Sequence, residues 1–232
     1  INMMPSIRDK MQLITKCGIK MVSPNRPGHQ IKHYDTSKEH IRFSVESSLR
    51  NLRTDFIDLL LLHRPDSLMD PAEIAMIFTK LKEEGKVLHF GVSNFSASQL
   101  SLINTFFPLS SIQVEASVMA LSAFRNGTLD QCMVNNLIPM AWSPLGGGKL
   151  FSSEDERSER ILAVTSILAE KYTCTVDQVL LAWLLKHPSG IKPVLGTARA
   201  ERVKAAMEAT QINMTREEWY LLWRASTGEE VA

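Results

Sequence analysis

The sequence has no long apolar run: its longest purely aliphatic stretch is Leu59–Leu62, far short of the roughly 20 residues of a membrane-crossing helix. It has almost no net charge, with 26 Lys and Arg against 25 Asp and Glu. Nothing electrostatic therefore draws it to nucleic acid or to an anionic membrane. Cysteine is scarce. Cys17, Cys132 and Cys174 are odd in number and widely spaced, matching neither a zinc pattern nor a disulfide framework, and the expectation is buried, inert thiols in a reducing cytoplasm. Residues 1–12, INMMPSIRDKMQ, hold no uninterrupted apolar core of a secretion signal, so none is expected. No Pro/Gly/Ser-rich linker or low-complexity tract divides the chain, and a single domain over residues 1–232 is expected. The composition, 44% hydrophobic and 22% charged, is that of a soluble globular protein able to bury a large core.

What is present is alternation. MQLITKCG (11–18) is a short apolar run closed by glycine, and residues 39–52 place Ile41, Val45, Leu49 and Leu52 at helical spacing. Further strands are expected at 56–62, 87–93, 111–117, 138–145 and 191–197. Between and after them, helices are expected at 71–84, from Ser96, at 127–135, 159–172, 175–187, 199–209 and 215–226. Strands separated by helices specify βα units and a parallel sheet, either a doubly wound open sheet or a (β/α)8 barrel. A doubly wound nucleotide fold usually carries a glycine fingerprint after its first strand, and TKCGIK lacks it. Six strands can be counted where a barrel has eight.

The C-terminal ends of those strands are polar. They carry, in order, Thr15-Lys16, His63, Ser93-Asn94, Gln113 with Glu115, Trp142-Ser143 and Gly196-Thr197. In a parallel barrel these ends share one mouth, where side chains from several strands converge. Each also has an ordinary explanation. His63 would be a hydrogen-bonded boundary residue, Lys16 a snorkelling one, Ser93-Asn94 a helix cap and Trp142 packing. These explanations are independent of one another, and six polar strand ends in succession favour a common site.

The segments TKCG, DFIDLLLLHRPD, GKVLHFGVSNF, IQVEAS, AWSPLGGGKL and PVLGTARAERV together resemble the aldo-keto reductase family, in its bacterial NADPH-dependent oxidoreductase branch. The resemblance implies a TIM-type α/β barrel that reduces carbonyl groups of small molecules to alcohols by hydride transfer from NADP(H). It implies no metal and no protein partner. Lys16 and His63 match the family's catalytic lysine and histidine, the first lowering the pKa of a tyrosine acid, the second orienting the carbonyl. Ser93, Asn94 and Gln113 match residues that bond the nicotinamide carboxamide, and Trp142 matches the ring stacked on it. Ser143, Leu145, Gly147 and Lys149 belong to a segment that resembles the loop over the pyrophosphate. Gly196, Thr197 and Arg202 resemble the segment around the adenosine 2′-phosphate. Where family members often place an acid and an asparagine near the adenine, this chain has Ala205 and Ala206.

The family's tyrosine and aspartate precede the strand ending in Lys16. Here only INMMPSIRDKM stands before it, which reads as the tail of a helix, and the first tyrosine is Tyr34, in the following loop. A barrel without two neighbouring strands would leave unpaired edges, so the expectation is that the first two βα units lie outside this sequence. An alternative reading is a non-catalytic NADP(H)-binding relative that reports redox state. A Schiff-base aldolase using Lys16 ranks last, because it leaves Ser93-Asn94 and residues 142–149 unexplained. Phe95, Phe124 and Phe151 are candidate residues at the rim of a substrate pocket.

Overall fold

The structure, a computed structural model, describes residues 5–24 and 28–231. In chain order its strands are β1 (Ile14–Cys17), β2 (Ile19–Lys20), β3 (His33–Tyr34), β4 (Ile57–Leu62), β5 (Val87–Ser93), β6 (Ser111–Glu115), β7 (Ile138–Trp142) and β8 (Lys192–Pro193). Its helices are α1 (Pro5–Arg8), α2 (Lys38–Leu52), α3 (Pro71–Glu83), α4 (Ala97–Phe106), α5 (Ser122–Arg125), α6 (Thr128–Asn135), α7 (Lys149–Ser152), α8 (Glu156–Tyr172), α9 (Val176–Leu185), α10 (Ala200–Glu208) and α11 (Arg216–Thr227). Of the N-terminal segment expected to end a helix, residues 1–4 lie outside the described residues, and α1 occupies 5–8. Among the described residues one sheet runs β1-β4-β5-β6-β7-β8, and β2 with β3 forms a separate antiparallel pair. This strand–helix alternation with parallel pairing is the α/β barrel class expected from the sequence.

Residues 1–113 with 134–137 form one compact unit, and residues 114–133 with 138–232 form a second. In the first unit, β4 is the apolar axis. Ile57, Leu60, Leu61 and Leu62 are fully buried. Asp58 interrupts that run for a local reason: its carboxylate pairs with Arg8 at 2.8 Å and accepts the Leu13 amide at 2.8 Å. Arg8 is itself buried, donates to Phe56 O and Thr54 Oγ1, and lies 3.8 Å over the Phe56 ring. The acid is thus paid for where β4 begins, and it anchors α1 and the start of β1. Phe78, Phe90 and Phe107 pack between α3 and β5, the first two stacked at 4.1 Å.

Register in this unit is tight because of one residue. A Cβ placed on Gly91 would meet the Ser111 carbonyl oxygen at 2.4 Å and Leu61 Cδ2 at 2.7 Å. Glycine is required here by close backbone approach rather than by φ.

The second unit is built on apolar helices. α9 buries Val179 through Leu184 almost completely. Trp183 and Trp219 stack at 4.9 Å, and each indole Nε1 donates to the other's carbonyl at 3.0 Å. Helix α11 is fixed by a capping box at Thr215 and by Glu218, whose carboxylate accepts from Lys171 and Tyr172 at 2.6 Å each. Its apolar side carries Leu222, fully buried, with the partly buried Trp219 and Trp223, as its spacing predicts.

Substituting Gly91 by alanine is expected to cost about 1–3 kcal/mol, the range for overpacking a dense interior, read as a lowered urea midpoint with unchanged m-value. A midpoint equal to wild type would mean that β5 and β6 do not approach as closely as described.

Candidate active site

The parallel register of the first unit decides which side chains share a face. Lys16 lies opposite Leu61, Leu61 opposite Gly91, and Gly91 opposite Ser111, while Ser93 lies opposite Gln113. The His63 amide continues the ladder by donating to Cys17 O at 2.8 Å. Side chains alternate along a strand, so Lys16, His63, Ser93 and Gln113 project from the same face, at the C-terminal ends of their strands. Four residues singled out by sequence are therefore brought together by register.

Electrostatics ties two of them more closely. Burial pushes the Lys16 pKa below the usual lysine value, and the neighbouring Arg64 charge pushes it further. Burial likewise lowers the His63 pKa, helped by the charges of Lys16, Arg64 and Lys32. Among the described residues Lys16 forms no hydrogen bond or ion pair. The result is a cluster of positive groups around an imidazole that stays neutral at pH 7.

Asn94 sits one residue beyond β5 at φ 60°, with its amide donating to Gln113 O at 2.9 Å and its Nδ2 donating to Ser93 Oγ at 2.9 Å. Ser93 and Gln113 are buried. The explanation of Ser93-Asn94 as a helix cap fails. Ser96 caps α4, accepting the Gln99 amide at 3.2 Å in a full capping box. The loop after β4 has an anchor that sequence reasoning missed. The Asp66 carboxylate accepts from the Thr36 amide and hydroxyl and from the Leu68 amide. The HRPD order, with an acid three residues past His63, was the available signal.

In the second unit, Ser143, Leu145, Gly147, Gly196, Thr197 and Arg202 line one cavity of about 660 Å³. Ser143 stands at φ 50°, and Gly146, Gly147 and Gly148 all have positive φ. This turn is closed by the Gly146 amide on Ser143 O at 2.9 Å. A Cβ on Gly146 would come within 2.9 Å of Met119 Cγ, so the turn can lie flat only with glycine there. Leu181, Val194 and Leu195 supply an apolar wall. Trp142 ends β7, partly buried, where its carbonyl accepts the Ala116 amide. Lys149 opens α7, exposed, and neither it nor Trp142 is among the lining residues. Asp177 lines the same cavity and was not foreseen; its place in the first turn of α9 made it look like an ordinary helix-start acid.

Two of the three candidate rim phenylalanines belong elsewhere. Phe95 is buried, and Phe124 packs among Trp183, Trp219, Trp223 and His187. Phe151 is half exposed and lines the cavity just described. Cys17 and Cys132 are buried as expected, burial raising their thiols to about 12 and about 11, whereas Cys174 is only partly buried, its thiol also raised by burial. Among the described residues no group of histidine, cysteine and acid could hold a metal ion, and no helix is long and apolar enough to cross a membrane.

Proton-detected NMR of the imidazoles should show His63 titrating below the ordinary 6.5. Lys16→Met removes one of the opposing charges, so the midpoint should move up toward that value. Because the folded pKa is the lower one, the unfolded chain binds this proton more readily, and His63 contributes a loss of stability as pH falls below 6.5. A midpoint indifferent to Lys16→Met would mean that the ammonium does not act on the ring.

Comparison with known proteins shows the family. The family model described as the aldo/keto reductase family matches residues 2–225. The "Uncharacterized oxidoreductase YcsN" of Bacillus subtilis (strain 168) is 44% identical over 230 residues, covering 98% of this chain and 77% of that protein. A "6-dehydroglucose reductase" of Agrobacterium fabrum is 41% identical over 230 residues, covering 98% of this chain and 76% of its own length. The crystal structure of a thermostable aldo-keto reductase, Tm1743, with the inhibitor epalrestat shares the fold, with a TM-score of 0.78 at 24% identity over 94% of this chain and 72% of the other. With the family model matching residues 2–225 of this chain and oxidoreductases among its relatives, this chain belongs to the aldo/keto reductase family.

Proposed function

We propose that the protein reduces aldehyde or ketone groups of small molecules to alcohols with NADP(H), working in the cytoplasm. The observation that carries this reading is that Lys16, His63, Ser93 and Gln113 share one face of the first unit's sheet at the C-terminal ends of its strands. Reduction of a carbonyl places negative charge on its oxygen, and the requirement is for donors and positive charge already aimed at that atom.

The residues present suit a pyridine dinucleotide. The second unit's cavity has the size of a small-molecule site, a floor of glycine backbone, apolar walls and one guanidinium. Arg202 makes no hydrogen bond or ion pair among the described residues, leaving its planar fork free for a phosphate. In this reading Ser143, Leu145 and Gly147 line the pyrophosphate, and Lys149, exposed at the start of α7, is the candidate counter-charge. Gly196, Thr197 and Arg202 receive the adenosine phosphate. When bound, the nicotinamide supplies the hydride. In the first unit Ser93, Asn94 and Gln113 offer a hydroxyl and two amides of the kind that bond a carboxamide, and in the second unit Trp142 offers a flat ring of the kind that stacks on a nicotinamide.

The remaining work falls to two side chains. His63, neutral at working pH, presents a ring N–H to the carbonyl oxygen and fixes its direction. Lys16 keeps a positive charge beside the site and pulls the pKa of an adjacent proton donor downward. Arg64 adds to the same field. The cluster thus offers positive charge and an N–H donor to the developing alkoxide.

The test is NADPH oxidation by the protein expressed from its full reading frame, with simple aldehydes, dicarbonyls and 6-dehydroglucose, the last taken from the name of the Agrobacterium relative. Turnover with at least one class is expected. Lys16→Met and His63→Ala should each lower kcat by about 100-fold or more, in the range of general acid–base contributions, with nucleotide affinity little changed. Tight nucleotide binding without turnover on any carbonyl would instead favour a redox-reporting role, and equal losses in kcat and affinity would overturn the roles given to Lys16 and His63.

A further inference from the structure

The second unit's cavity contains one acid besides its arginine. Asp177 stands in the first turn of α9, exposed, and lines the cavity with Thr197, Arg202 and Ala206. Its neighbour fixes the helix start that carries it. Gln178 is buried, and its Nε2 donates to Ala205 O at 2.8 Å and to the Glu208 carboxylate at 2.9 Å. Those two bonds pin the start of α9 against α10, the helix that carries Arg202 and Ala206.

An acid at a helix start usually serves the helix. Here the Thr175 amide that opens α9 is already satisfied by Gln178 Oε1 at 2.8 Å. Among the described residues the Asp177 carboxylate forms no hydrogen bond or ion pair, and the same holds for the Arg202 guanidinium. One cavity therefore presents an unengaged anion and an unengaged cation among its lining residues.

We propose that Asp177 sets the nucleotide preference of this cavity, opposing a ribose 2′-phosphate that Arg202 attracts and accepting hydrogen bonds from a ribose 2′,3′-diol. The inference rests on the dinucleotide reading given above and deepens it. A 2′-phosphate brings about two negative charges that gain from the guanidinium and lose against the carboxylate. A ribose diol brings donors that the carboxylate accepts and that leave the arginine idle. The two residues act in opposite directions, and the chain is thereby tuned to take NADH as well as NADPH, with neither strongly excluded. Ala205 and Ala206, standing where relatives in the family often carry polar groups, leave this balance to Asp177 and Arg202.

The experiment uses the nucleotide fragments that this cavity alone would hold. ADP-ribose and 2′-phospho-ADP-ribose are titrated calorimetrically into the wild-type protein and into Asp177→Asn, Asp177→Ala and Arg202→Met, with thermal melting to check each fold. Asp177→Asn should tighten the phosphorylated fragment roughly fivefold and move ADP-ribose by less than about twofold, the scale of one charge pair about 4 Å apart in water. Asp177→Ala should tighten the first and weaken the second. Arg202→Met should weaken the phosphorylated fragment alone. If both fragments bind wild type and Arg202→Met discriminates between them while neither Asp177 variant does, the role of Asp177 is overturned and the dinucleotide reading stands. Failure of wild type to bind either fragment overturns both.

Discussion

The close approach of β5 to β6 at Gly91 is the constraint on which the first unit's chemistry depends. With no side chain at that position, the Ser111 carbonyl lies where a Cβ would otherwise be. The two strands then pair Gly91 with Ser111 and Ser93 with Gln113. That register brings the Asn94 amide onto Gln113 O and holds Asn94 in a left-handed conformation that asparagine tolerates better than most residues. A one-residue slip would send every one of these side chains to the opposite face. Steric fit in the strand body and polar geometry at its tip are therefore one property.

β4 shows how an apolar strand is held at both ends. Four leucines in a row have no preferred axial position, since sliding by two residues would bury similar surface. Asp58 removes that freedom at the start, through Arg8 and the Leu13 amide. Asp66 removes it past the end, through Thr36 and Leu68. A largely buried ion pair adds little net stability compared with an apolar substitute, but breaking one partner leaves a stranded charge. Such a pair is suited to fixing position. His63 sits between these two fixed points, and its own amide is held on Cys17 O. The polar residues of DFIDLLLLHRPD thus act on a rigid mount whose apolar centre supplies burial and whose acids supply address.

Much of this was legible in the sequence, and the exceptions have physical causes. β5 runs over 87–93 as its pattern implies, and the helices at 71–83, 97–106 and 216–227 begin at the capping residues Asp70, Ser96 and Thr215. These elements carry local signals, side-chain oxygens placed to accept the first free amides. The strand expected at 191–197 contracts to Lys192–Pro193. Proline brings no donor to the ladder, and only the Val194 amide on Ala141 O extends the pairing. The β2–β3 pair went unread because two-residue strands leave no periodicity. At the site, Lys16, His63, Ser93, Asn94 and Gln113 were visible because each interrupts or ends an apolar run. Asp177 and Asp66 were not, because an acid in a loop or in a first helical turn is the commonest acid there is. What distinguishes them is a cavity in one case and a buried hydrogen-bond partner in the other, and both are properties of tertiary structure.

The two halves of the charge pattern obey one rule, that a group left without a permanent partner keeps its field available to a transient one. Lys16 and Arg64 sit beside an imidazole whose pKa they lower together with burial and Lys32. Contrast Lys20, whose ammonium is engaged by Asp35 in the same unit. There, burial raises the Asp35 pKa, but bonds from Lys20 and Ser37 outweigh it and hold the carboxyl well below the usual range. Lys20 and Asp35 satisfy each other and have little field left over. Lys16, which makes no ion pair among the described residues, has its pKa lowered by burial and further by the Arg64 charge.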